Sequence, residues 1–111
     1  MNASTLAIDL DSARAELDAG RATLIDIRER DEFATGVAPG AVLIPMSELG
    51  ARLDEVPKDP AQPVLLICRT QNRSGHVAQV LHQRGWNNLR YVVGGMSMWA
   101  ENGWPMVAPG A

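Results

Sequence analysis

The chain has little cysteine: one, Cys68, in 111 residues. A lone cysteine closes no internal disulfide and supplies no zinc cluster. Neither is needed, because a chain of this length buries roughly two-thirds of its unfolded surface on folding. Basic excess is also missing. The formal net charge is −3, which argues against a nucleic-acid partner, since such binding shows a basic patch. No apolar run approaches the roughly 20 residues that span a bilayer, so no membrane is expected. Met1-Asn2-Ala3-Ser4-Thr5 lacks a basic segment leading into an apolar core, which predicts no secretory signal. A reducing, cytoplasmic setting is the expectation, and it suits a working free thiol. No repeat, low-complexity segment or second-domain boundary interrupts the chain. A single domain over residues 1–111, with its core over about 6–107, is expected.

What is present is an alternation of apolar and helical stretches. Strands are predicted at Leu6-Ala7-Ile8, Ala22 to Ile27, Ala41 to Ile44, Val64 to Ile67 and Leu89 to Val93. Helical patterns lie between them. Asp11 is predicted to cap the first, which Gly20 stops. Arg30 to Thr35 forms a short turn of helix before Gly36. Ser47 is predicted to cap a helix carrying Leu49, Leu53 and Val56. Ser74 to Arg84 carries Val77, Val80 and Leu81 at helical spacing, with Gly85 as its stop. Gly94-Gly95 turns into a short helix with Met96 and Trp99. The tail is predicted to be loose beyond Pro105. Strands alternating with helices predict an α/β fold: a mainly parallel sheet of about five strands, flanked by helices on both faces. Val64 to Ile67 is the most apolar strand and is predicted to be central.

Ligands of such sheets bind beyond the carboxyl ends of the strands. Cys68 stands there, followed by Arg69-Thr70-Gln71-Asn72-Arg73 and then the helical pattern at Ser74. Helix N-termini and nearby cations favour a thiolate, the reactive form of cysteine. No acidic residue occurs between Asp59 and Glu101, so this stretch suits a small anionic ligand despite the acidic whole. If the loop wraps around the sulfur, its N–H groups form a nest for an anion. That anion could be the thiolate, a persulfide or an incoming oxyanion. Arg73 can meet an oxyanion with a fork of donors, and Arg69 is expected at the rim. Ser74 is predicted as the helix N-cap, able also to lend its hydroxyl to the sulfur.

The segment Cys68 to Ser74 resembles the active-site loop of the rhodanese sulfurtransferases. Leu24-Ile25-Asp26-Ile27-Arg28-Glu29 with Glu32-Phe33 resembles that family's first signature. Pro39-Gly40-Ala41 with Ile44-Pro45 resembles its second. Gly94-Gly95-Met96 with Trp99 and Gly103-Trp104-Pro105 resembles its closing segment. The resemblance implies a rhodanese-like fold and a sulfurtransferase without cofactor or metal. It would move a sulfane sulfur from thiosulfate or a similar donor to a thiol or cyanide, through a persulfide on Cys68. It implies Cys68 as nucleophile, with the Arg69, Thr70, Gln71, Asn72 and Arg73 backbone cradling the sulfur and the arginine side chains holding the donor. A small anionic donor and a thiol or sulfur-relay acceptor are the implied partners; the oligomeric state stays open.

The rivals are a non-catalytic, partner-binding rhodanese module and an arsenate reductase or phosphatase of the same fold. The intact cysteine and both arginines argue against the first. The loop, six residues from Cys68 to Arg73, resembles the sulfurtransferase length rather than the longer phosphatase loop. Gln71 stands where the family commonly has glycine, and costs on the order of 1 kcal/mol if positive φ is needed there. Val37 stands where many relatives have histidine. Asp26 and Arg28 are expected to make a structural ion pair or cap, and are carried as supporting residues that could tune the site. Glu29, Asp31 and Glu32 read as a solvated helix start, and His76 and His82 as exposed.

Overall fold

The structure, a computed structural model, describes residues 6–110; the segment Met1–Thr5 read above lies outside them. Strands β1 (Ala7–Ile8), β2 (Thr23–Asp26), β3 (Val42–Leu43), β4 (Val64–Ile67) and β5 (Leu89–Val92) form one sheet in the order β1-β5-β4-β2-β3. Every pairing within it is parallel. Helices α1 (Leu10–Asp18), α2 (Arg30–Phe33), α3 (Met46–Leu49) and α4 (Asn72–Gln83) lie in the connections between strands, α5 (Gly95–Glu101) follows β5, and a 3-10 segment, Gly50–Glu55, continues α3. The α/β prediction holds, and β4 is central. Among the described residues no helix is long and apolar enough to cross a membrane.

A parallel sheet covered on both faces needs apolar residues at both parities of a strand. All four residues of β4 are buried. Val64 and Leu66 join Val77, Ala78 and Leu81 of α4 and Leu49 of α3 in one core. Leu65 and Ile67 join Leu10 and Ala13 of α1 and Met96 and Trp99 of α5 in the other. Side chains alternate along a strand, so Cys68 continues the Val64–Leu66 row and falls on the α4 side. Strand parity thereby aims the thiol at the start of α4.

Several boundaries differ from expectation. Asp9, not Asp11, caps α1, its Oδ1 accepting the Ser12 N–H at 2.8 Å. Pro45 precedes α3, so Ser47 is inside the helix. Ser47 donates its N–H and hydroxyl to Glu29 instead of capping. His82 is half-buried, while His76 is exposed. The tail is not loose. Val107 and Val37 form an antiparallel bridge, with N–H···O distances of 2.8 Å in both directions. Trp99 donates its indole N–H to the Pro105 carbonyl at 2.8 Å and meets Trp104 edge to face. Val37 is buried beneath this bridge; it serves packing at a position where the resemblance leads one to expect histidine.

Candidate active site

Helix α4 begins two residues earlier than its apolar pattern suggests. Gln71 is the N-cap, and Ser74 is the third helical residue. Ser74 is therefore not the cap, and its chemistry changes accordingly. The first N–H groups of a helix have no intrahelical acceptor. That of Ser74 points at Cys68, 3.4 Å from Sγ. The Ser74 hydroxyl also lies 3.4 Å from Sγ, where it accepts from the thiol. Both residues are essentially inaccessible, Cys68 at 1% and Ser74 at 0%. The N–H groups of Thr70, Gln71, Asn72 and Arg73 meet no acceptor among the described residues.

Their direction has a cause on the far side of the loop. Met96 donates its N–H to the Cys68 carbonyl and Ser97 to the Arg69 carbonyl, both at 2.9 Å. Two loop carbonyls are thus drawn toward α5, which leaves the opposite side of the loop to N–H groups. This approach requires glycine at position 95. It has φ +55°, and a side chain there would collide with the carbonyls of Cys68, Arg69 and Thr70. Gln71 adds a third tie, its Oε1 accepting the Gly94 N–H at 3.0 Å. Its φ is −154°, and no described residue other than glycine has positive φ. The cost anticipated at Gln71 does not arise, because the backbone there avoids the left-handed region that would favour glycine.

The two arginines behave differently from each other. Arg69 is exposed and forms no ion pair among the described residues. Arg73 grips Glu32 of α2 with both ends of its guanidinium, at 2.6 and 2.8 Å. That hydrogen-bonded pair holds the Glu32 carboxyl down at about 2 and raises the Arg73 pKa. The uncompensated positive charge expected around Cys68 is therefore partly cancelled, and the Arg73 fork is already occupied. Thr70 and Asn72 are exposed at the rim of the loop.

Asp26 and Arg28 stand at the end of β2, beside β4. Asp26 is in register with Ile67, and the Ile27 N–H bonds the Ile67 carbonyl at 3.0 Å. Arg28 donates to both Asp26 oxygens at 2.8–3.1 Å, to the Gly36 carbonyl at 2.8 Å and to the Glu32 carbonyl at 3.4 Å. The pair is a buried tie between β2 and the segment after α2. Glu32 is the residue that sequence reading missed as a site component. Its partner is 41 positions away, and only its place in the Glu32-Phe33 signature hinted at more than a solvated helix start.

The arrangement presents a buried sulfur under a bowl of unpaired N–H donors. It suits a nucleophile whose product or substrate carries negative charge just above it. Among the described residues no group of side chains is placed to bind a metal.

Comparison with known proteins agrees with this architecture. A profile of the rhodanese-like domain matches residues 9–102. A protein of Allochromatium vinosum named sulfurtransferase is 37% identical, over 92% of this chain and 94% of its own length. The human thiosulfate:glutathione sulfurtransferase is 31% identical, over 85% of this chain and 92% of its own. The crystal structure of a rhodanese-related protein from Thermoplasma volcanium superposes with a TM-score of 0.80 at 30% identity, covering 91% of this chain and 96% of that one.

Proposed function

The chain belongs to the rhodanese-like domain family, and from that premise we propose that it is a sulfurtransferase working through a persulfide on Cys68. The observation that carries the reading is the six-residue loop from Cys68 to Arg73, with the Ser74 N–H on the sulfur and four further N–H groups unclaimed. Relatives named sulfurtransferase support the reaction class. Thiosulfate is the proposed donor. Its outer sulfur is attacked by the Cys68 thiolate, the S–S bond of thiosulfate breaks, and sulfite departs with the electron pair. The transferred sulfur is then an anion one atom beyond Sγ, where the free N–H donors stabilise it without reorganising. A thiol or cyanide takes it in a second displacement that restores the thiolate.

With Arg73 bound to Glu32, donor binding falls to the loop N–H groups and to Arg69 rather than to a pair of free arginines. Incubation with thiosulfate should add one sulfur atom to the intact mass, and Cys68→Ser should add none. An unchanged mass after several sulfane-sulfur donors overturns the reading.

A further inference from the structure

Beside the loop, on the side facing α5, lies an open cavity of about 420 Å³. That is the size of a small-molecule site, roughly 300–1,000 Å³. Met96, Ala100 and Met106 make an apolar wall, Thr35 and Ser97 supply hydroxyls, and Arg69 stands at its edge. Two other charged groups line it, and both are spent. Glu32 is held by Arg73, and Arg28 by Asp26 and the Gly36 carbonyl. The charge left to a ligand is that of Arg69, the residue next to the nucleophile. The cavity is coupled to the loop by backbone, since Met96 and Ser97, which line it, hold the Cys68 and Arg69 carbonyls.

We propose that this cavity is the binding site of the sulfur acceptor, a carboxylate-bearing thiol the size of a short peptide, with Arg69 gripping the carboxylate. The inference rests on the persulfide reading above. An apolar wall with hydroxyls and one free guanidinium suits such a molecule. Thiosulfate, all charge and no apolar body, would leave the methionine wall unused. Cys68 does not line the cavity, so the acceptor's body lies beside the loop and its sulfur reaches over Arg69 to the bowl. The acceptor thiolate, its proton given to solvent, attacks the outer sulfur of the persulfide. The S–S bond to Cys68 breaks, Cys68 leaves as thiolate, and the acceptor departs as a persulfide.

The test starts from protein already persulfidated, verified by mass, so that failure to load and failure of the cavity are separate results. Discharge is followed with glutathione, with its diethyl ester, and with cyanide as internal reference. Glutathione should discharge the persulfide saturably, and its ester about tenfold less efficiently, the loss of one charge-assisted contact. Ala100→Trp, which fills the exposed cavity wall, and Arg69→Glu should each lower the glutathione-to-cyanide ratio by about tenfold or more. Ala100→Glu provides a charge-based variant should the tryptophan disturb folding. An unchanged ratio in all three variants overturns the proposal. So does a loss in Ala100→Trp that falls equally on loading by thiosulfate, since the cavity would then serve the donor.

Discussion

Two arginine–carboxylate pairs stand at the carboxyl edge of this sheet, and they differ in almost every respect. Asp26–Arg28 joins residues two apart, and its side chains are 0% and 5% exposed. Glu32–Arg73 joins residues 41 apart, with side chains 25% and 33% exposed. The first pair lies in the interior, and its guanidinium also satisfies the Gly36 and Glu32 carbonyls. The second clamps α2 to the loop that carries Cys68. A buried pair is strongly coupled to folding because neither partner survives alone in a low dielectric. A half-exposed pair contributes little to stability, and its consequence lies in where it holds the loop and in how it cancels the Arg73 charge. One pair is architecture; the other sets the electrostatics of the bowl.

Breaking the buried pair should have the largest effect. Arg28→Met leaves the Asp26 carboxylate buried without its cation, a loss of about 3–5 kcal/mol. Urea unfolding of the variant should show a midpoint well below that of the parent. The double variant Asp26→Leu/Arg28→Met should regain much of that loss, because no buried charge is then left. It should stay below the parent, since the Gly36 carbonyl still lacks its donor. A single variant no less stable than the double would contradict the interior, coupled character of this pair.

The same contrast explains what could be read before the structure. Arg28 lies two residues from its partner, so a local pairing was open to inspection. Glu32 reads as a solvated helix start because its local use is only that of a capping residue, accepting the Glu29 N–H at 3.0 Å, while the arginine that engages it lies 41 positions away. The strands were legible throughout, since runs such as Val64-Leu65-Leu66-Ile67 carry the signal of a sheet buried on both faces. The start of α4 was not. Its first turn, Asn72-Arg73-Ser74, is polar, and its buried apolar face begins at Val77. That is why Ser74 looked like a cap while its N–H was in fact free for the sulfur. The order of the tail is hidden from the sequence for a related reason. Trp104 and Met106 pack on the core and Val107 pairs with Val37, contacts that distant segments supply and local composition does not encode.

Gln71 provides a third tie, between the extremes. Its Oε1 holds the Gly94 N–H across 23 positions of sequence, in a half-buried setting. Gln71→Ala should lose about 1 kcal/mol, the net value of an ordinary hydrogen bond. Global unfolding measures that loss. Amide hydrogen exchange adds a local readout: Gly94 should exchange faster while the centre of β4 keeps its protection. Gln71→Gly should behave as Ala or worse, since the native φ of −154° gives glycine no advantage. A glycine variant more stable than the parent would mean that the glutamine strains the loop after all.

The smallest effect, and the sharpest test of the half-exposed pair, is its response to acid. Arg73 holds the Glu32 carboxyl at about 2, against an ordinary 4.5. In the unfolded chain the carboxyl takes up its proton first as the pH falls. The pair's contribution is therefore complete above about 4.5 and is lost progressively down to about 2. Denaturation midpoints measured across that window should fall more steeply for the parent than for Glu32→Gln, which has no carboxylate to protonate. Salt should weaken the difference, because these side chains are partly solvated and screened. Near neutral pH the glutamine variant should be only slightly less stable than the parent, in contrast to Arg28→Met. If the two proteins show the same acid dependence, the Arg73 clamp on Glu32 is not maintained in solution, and the Arg73 fork is free for the donor.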